Sequence, residues 1–160
     1  MVVPIITYAA EVWGIYSFKE VDKIQFKFFK IILGVRQQSM NAAVLGELGI
    51  FPLSLICIER SLKYWLKIKC NNNTAMQDVL KDHCATFMGN NKTWENLIKQ
   101  KLDNLGFSNL WSNQNLNVNM FPSIQRRVRD TYLQEWYAVI NNSPKLKYYV
   151  MFKDNFEFEP

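Results

Sequence analysis

The chain has 160 residues, 49% of them apolar and 21% charged, with 19 basic against 14 acidic side chains. That is one domain's length with enough apolar material for a core. The scarcity of Gly and Pro beside 14% aromatics excludes a disordered or low-complexity chain. A net charge of +5 is compatible with a polyanionic partner without demanding one.

No run reaches the roughly 18 apolar residues of a membrane span. The most apolar stretch, 1–18, is interrupted by Pro4 and Glu11. It also lacks the basic start and small-residue cleavage site of a secretory leader. Cys57, Cys70 and Cys84 are odd in number and too far apart for a Cys-x-x-Cys pair. The expectation is an intracellular protein, nuclear or cytoplasmic, with no membrane partner.

Pro4 suits a first helical turn, and Ile5, Ile6, Ala9, Val12 and Trp13 follow at helical spacing. Lys19 to Leu33 is the clearest amphipathic helix: Val21, Ile24, Phe28, Ile31, Ile32 and Val35 share its apolar face. Gly34 supplies a left-handed end. Ser39 or Asn41 can cap a short helix closed by Gly49, and Pro52 opens a long one from Leu53 to about Lys69.

The triplet Asn71 to Asn73 reads as a turn, Thr74 as the cap of a helix to about Met88, and Gly89 to Asn91 as a loop. Trp94 to Leu105 forms the next helix, stopped by Gly106. Residues 113–121 read as a linker between a helical segment, 1–112, and a C-terminal helical pair, 122–160. In that pair Ser123 caps a helix from Ile124 to Ile140, and Ser143-Pro144 starts another towards Lys153. The expected class is all-α, an irregular bundle of about eight short to medium helices.

Catalytic constellations are missing from this pattern. His83 is flanked by Asp82 and Cys84, but neighbours on a helix point about 100° apart and do not converge on one ligand. Asp78 and Asp82, at i,i+4, could share a face for Mg²⁺ but have no third ligand. There is no Asp-Asp pair, glycine-rich phosphate loop or Gly-x-Ser-x-Gly elbow. No catalytic residue, metal or cofactor is expected, and a stand-alone enzyme is not the reading.

Two basic clusters remain. Lys19, Lys23, Lys27 and Lys30 fall within about an 80° arc opposite the apolar face, with Phe26 on the border. Such a row can follow phosphates and the aromatic can stack on a base, although lysines also simply furnish solvent-facing helix positions. Arg126, Arg127 and Arg129 would crowd the first two turns of a helix capped by Ser123, where the macrodipole disfavours cations by roughly 0.3–1 kcal/mol each. Asp130 could relieve Arg126 and Arg127 at i,i+4 and i,i+3, or a phosphate at the helix N-terminus could do so. The five tryptophans sit among apolar neighbours and read as core.

Several stretches in order resemble one family. Val3-Pro4-Ile5-Ile6-Thr7-Tyr8-Ala9-Ala10-Glu11-Val12-Trp13-Gly14 is similar to the "P-x-L-x-Y-G-x-E-x-W-G" segment downstream of the polymerase domain in non-LTR (LINE-type) retrotransposon reverse transcriptases. Lys27-Phe28-Phe29-Lys30-Ile31-Ile32-Leu33-Gly34-Val35 resembles that family's "K-F-x-K-x-L-L-G-V" helix. Residues 41–53, with Gly46-Glu47-Leu48-Gly49 and Phe51-Pro52-Leu53, resemble its "N-x-x-V-Y-G-E-L-G-x-Y-P-L" block, and Lys63-Tyr64-Trp65-Leu66-Lys67 its "x-Y-W-L-K" continuation. The tail from Ser143 to Lys153 is similar more loosely. Ala9, Ala10 and Leu45 depart from the pattern.

The resemblance implies a region rather than an enzyme. In that family the catalytic aspartates lie upstream, and the helices after the thumb help hold template and primer. No Tyr-x-Asp-Asp sequence is present here, so two-metal polymerase chemistry has no carrier. The implied partners are RNA or an RNA–DNA hybrid and the upstream polymerase domain of a parent protein. Met1 would then be internal to a longer frame, and the first helix would leave apolar surface uncovered. A helical protein-interaction module, or a relic of a retroelement frame, are the alternatives.

Overall fold

The computed structural model describes residues 3–16, 19–70, 75, 78, 93–113, 116–153 and 155–158. Eight bounded α-helices and three 3-10 turns account for most of these residues, with no strand among them, so the fold is all-α. The helices are α1 (Val3–Ile6), α2 (Ala10–Trp13), α3 (Lys19–Ile32), α4 (Asn41–Leu48), α5 (Leu53–Cys70), α6 (Trp94–Asn104), α7 (Ser108–Ser112) and α8 (Phe121–Asn142). The turns are Val118–Met120, Pro144–Leu146 and Tyr149–Met151. Of the expected helix after Thr74, only Ala75 and Asp78 are described, both helical; Asp82, His83 and Cys84 lie outside the described residues.

Three helices stop as glycine dictates. At Gly34 (φ 64°) the amide of Val35 reaches back to the Lys30 carbonyl, at 3.0 Å, and that of Gly34 to Ile31, at 3.1 Å. The same crossed pair closes α4 at Gly49 (φ 59°) and α6 at Gly106 (φ 81°). Each satisfies carbonyls that the helix leaves open, and the left-handed residue carries no Cβ penalty. Thr93 caps α6 through its hydroxyl, which accepts from the Asn96 amide.

Other boundaries differ from the sequence reading. Met40, not Ser39 or Asn41, is the residue before α4, and it makes no side-chain cap. The apolar start is broken at Ala9, whose φ of 54° is left-handed without being glycine, into two four-residue helices. α8 starts at Phe121 rather than after Ser123, because Asn117 caps the 3-10 turn 118–120 and that turn runs directly into the helix. The stretch after Pro144 forms two 3-10 turns instead of one helix.

The chain groups into two compact units, each built from two separated segments: residues 1–17 with 57–128, and 18–56 with 129–160. These groupings do not coincide with divisions at 112–113 and 121–122. In the first unit Leu62, Trp65 and Leu66 of α5 are fully buried, as are Ile98 and Leu102 of α6 and Ile124 of α8. Trp65 lies flat on Trp111, with centroids 5.6 Å apart and planes 7° from parallel. Two side chains of α5 fasten the first turns: Arg60 donates to the Thr7 carbonyl and Ser61 to that of Ala10. Gly14 lets backbones meet, since a Cβ there would stand 2.5 Å from the Cys57 carbonyl oxygen. Ile5, Tyr8 and Val12 stay exposed.

The second unit is built around Leu45, Trp136, Ile140, Leu146 and Phe156. Trp136 donates its indole N–H to the Ala42 carbonyl at 2.8 Å and meets Phe156 edge-on. Gly46 permits that contact: a Cβ would fall 2.6 Å from both the Trp136 ring and the Tyr149 hydroxyl. α3 joins this unit by its polar side. Asp22 accepts from the Ser54 amide (2.9 Å) and hydroxyl (2.6 Å), and Gln25 accepts from the Leu53 amide while donating to the Phe51 carbonyl. Residues 53 and 54 open α5, whose first amides have no intrahelical partner, and Pro52 offers no capping oxygen on its side chain. The acceptors come instead from α3, and the Asp22 charge suits the positive end of the α5 dipole.

Candidate nucleic-acid interface

The lysine row of α3 divides in the structure. Lys19, Lys23 and Lys27 are exposed, and Lys23 forms a surface ion pair with Glu20 at 2.9 Å. Lys30 is no member of that row: it is 7% exposed and donates to the Gln37 carbonyl at 2.9 Å. The Gln37 carbonyl thus gains a charged donor, and one phosphate contact is lost from the expected surface. Phe26, expected at the border of the row, is half-buried and packs against the Trp136 cluster.

The arginines also separate. Because α8 begins at Phe121, Arg126 and Arg127 occupy its second turn and Arg129 its third. The dipole effect fades within the first turn, so the conflict expected from a Ser123 cap does not arise. The Arg129 guanidinium lies 5.3 Å from the Phe51 ring centroid and is half-buried, as a cation packed on an aromatic face inside the second unit. Arg126 and Arg127 are exposed and belong to the first unit.

The first unit assembles cations that the sequence pattern did not single out. Gln125 of α8 donates to the buried Glu59 carboxylate of α5 at 2.7 Å, and one turn along, the Lys63 ammonium stands 5.3 Å from the Phe121 ring. These contacts hold the start of α8 along α5. Lys63 and Lys67, at i,i+4, are both exposed, while Lys69 packs over Trp111 at 5.2 Å. Their spacing opposite Leu62, Trp65 and Leu66 was visible in sequence. It was overshadowed by the longer row on α3.

Charge follows the same division. Residues 1–17 with 57–128 hold ten basic against six acidic groups, so +4, whereas 18–56 with 129–160 hold nine against eight, so +1. In the first unit Lys63, Lys67, Lys99, Arg126 and Arg127 are exposed, and two of its carboxylates, Glu59 and Glu95, are buried. Asp78 and Asp103 are the exposed carboxylates among the described residues of that unit, so five exposed cations stand against two exposed anions there.

Chemistry beyond charge is sparse among the described residues. No group of three or more His, Cys, Asp or Glu converges as a metal site. Burial raises the Cys70 thiol, and burial followed by the Asp22 and Glu135 charges pushes the Tyr132 phenol well above its usual range. Neither is prepared as a nucleophile at neutral pH. A pocket of about 280 Å³ after α8 is lined by Asn141, Asn142, Ser143, Pro144, Lys147 and Val150, with Lys147 its single charged group. No single helix among the described residues is long and apolar enough to cross a membrane. No family model, curated protein or solved structure matches the chain.

Proposed function

We propose that the chain is a non-catalytic helical segment, of the kind that follows the polymerase domain in non-LTR reverse transcriptases, and that its first unit contacts RNA or an RNA–DNA hybrid. The observation that carries the reading is the placement of the charge excess. Lys63 and Lys67 on α5, and Arg126 and Arg127 on α8, are exposed on two helices locked by the Glu59–Gln125 bond. Rigid helices that present cations one turn apart suit the spacing of phosphates along a strand. The ordered sequence resemblance supports the same reading, and the chain's lack of a Tyr-x-Asp-Asp sequence supports a binding role over polymerisation.

The test is binding of labelled structured RNA and of an RNA–DNA hybrid to the 160-residue chain across a salt series. A phosphate-tracking surface loses affinity with a log–log slope of roughly −0.7 to −0.9 per phosphate contacted. Replacing Lys63, Lys67, Arg126 and Arg127 together by Gln is expected to flatten that slope by about three. Replacing Lys19, Lys23 and Lys27 is expected to change it less. An unaltered slope in the fourfold variant would remove the proposal, as would template-dependent nucleotide incorporation by the purified chain.

A further inference from the structure

α3 is mounted in reverse. Its polar positions Asp22, Gln25 and Lys30 face its own unit and are hydrogen-bonded there. Its apolar positions face water: Phe28 is 54% exposed, Ile31 63%, and Ile24 and Ile32 lie between them. Together with Val35 past the glycine turn they make an apolar patch on the order of several hundred Å², the size that marks an interaction surface in soluble proteins.

The spacing of the patch narrows its use. Within α3 the positions Val21, Ile24, Phe28 and Ile31 follow steps of 3, 4 and 3, a short apolar seam of about one and a half heptads that ends before Gly34. Ile24, Phe28, Ile31 and Ile32 span about 100° around the helix, one apolar face of the width that an amphipathic helix presents to a partner. One edge of the seam is closed by the unit itself through the buried Gln25. The other edge is open and carries Lys19, Lys23 and Lys27 against Glu20 alone.

We propose that the outer seam of α3 docks an amphipathic helix of a partner protein, with acidic residues along the edge that meets Lys23 and Lys27. The partner's apolar residues fill the holes between Ile24, Phe28 and Ile31, and its carboxylates neutralise the open edge. A second copy of this chain fits less well, since it brings the same lysine-rich edge to the contact. The surface belongs to the second unit and is independent of the cations placed at the nucleic acid.

The experiment uses the full chain and two labelled synthetic peptides of three heptads, each with Leu and Ile on the seam. One carries Glu at both flanking positions and the other Lys. The acidic peptide is expected to bind saturably at one per chain, at least tenfold tighter than the basic one at low salt. Ile31→Asp abolishes that binding, and Lys23→Glu with Lys27→Glu reverses the preference, while circular dichroism and thermal unfolding show both variants folded. Failure of the acidic peptide to bind, or equal binding of both peptides, overturns the proposal. So does a concentration-dependent dimer in sedimentation that Ile31→Asp dissolves, which would make a second copy the occupant. Uptake of the chain by vesicles containing phosphatidylserine, lost in Ile31→Asp, would replace the protein partner by a lipid surface. The RNA salt slope is expected to be unchanged in Ile31→Asp and to shift less in the Lys23→Glu, Lys27→Glu variant than in the fourfold Gln variant, so this result and the nucleic-acid result stand or fall separately.

Discussion

α3 and α5 are both amphipathic by periodicity, yet they present opposite faces to their surroundings. α5 buries Leu62, Trp65 and Leu66 and leaves Lys63 and Lys67 in water. α3 turns Asp22, Gln25 and Lys30 inward and leaves Ile24, Phe28 and Ile31 outside. The difference traces to the start of α5, whose unpaired amides need acceptors that Pro52 cannot supply. Two polar residues of α3 meet that need, and aromatic neighbours on the same side, Phe26 and Phe29, provide the apolar contact. Periodicity establishes that a helix has two faces. Which one is buried depends on what the neighbouring element lacks.

The widest separation between the helices is expected from truncating one apolar residue on each. Trp65→Ala empties a fully buried site and should remove about 3–5 kcal/mol of stability. Ile24→Ser, on the outer face of α3, should stay within about 0.5 kcal/mol. Urea unfolding of both variants measures this, and a loss above 2 kcal/mol for Ile24→Ser would mean that α3 faces inward after all.

A middle-sized effect belongs to the cap that α3 donates. Asp22→Ala leaves the Ser54 amide and hydroxyl without their acceptor and should cost about 1–3 kcal/mol. Asp22→Asn keeps one acceptor oxygen and should lose less. If Asp22→Ala unfolds at the same urea concentration as the parent, the explanation for the reversed helix is wrong.

The smallest effect is expected at the surface pair. Lys23→Ala breaks the ion pair with Glu20, both partners being well exposed, and should change stability by about 0.2–0.5 kcal/mol, less in high salt. A loss several times larger would show that the open edge of α3 already supports the fold of the free chain.

Much of the helical layout was legible because its signals are local. Gly34, Gly49 and Gly106 end helices, Pro52 precedes one and Thr93 caps another, each within a few residues of the boundary it sets. The break at Ala9 was not legible, since it accompanies a close backbone approach between Gly14 and Cys57 that no local pattern announces. The start of α8 was misplaced because Ser123 is a good cap by type, while Asn117 does the capping six residues earlier through a 3-10 segment.

Among the candidate binding residues, exposure could be read for Lys19, Lys23, Lys27, Arg126 and Arg127 from their polar positions. Lys30 and Arg129 could not be sorted that way. Their partners, the Gln37 carbonyl and the Phe51 ring, are brought to them by turns and by tertiary packing respectively.

Each unit is closed by a segment far along the chain from the one that begins it, and that arrangement imposes an order on synthesis. Residues 18–56 emerge early, but Trp136 and Phe156, against which Leu45 packs, follow only after the intervening stretch 57–128. At about 5–20 residues per second that stretch takes roughly 4–14 s to make. During this interval α4 has no Trp136 to rest on, although Asp22 and Gln25 already have the start of α5 to bond. The nascent chain therefore carries two uncovered apolar surfaces at once, the future core and the outer seam, and the segment 129–160 hides only the first.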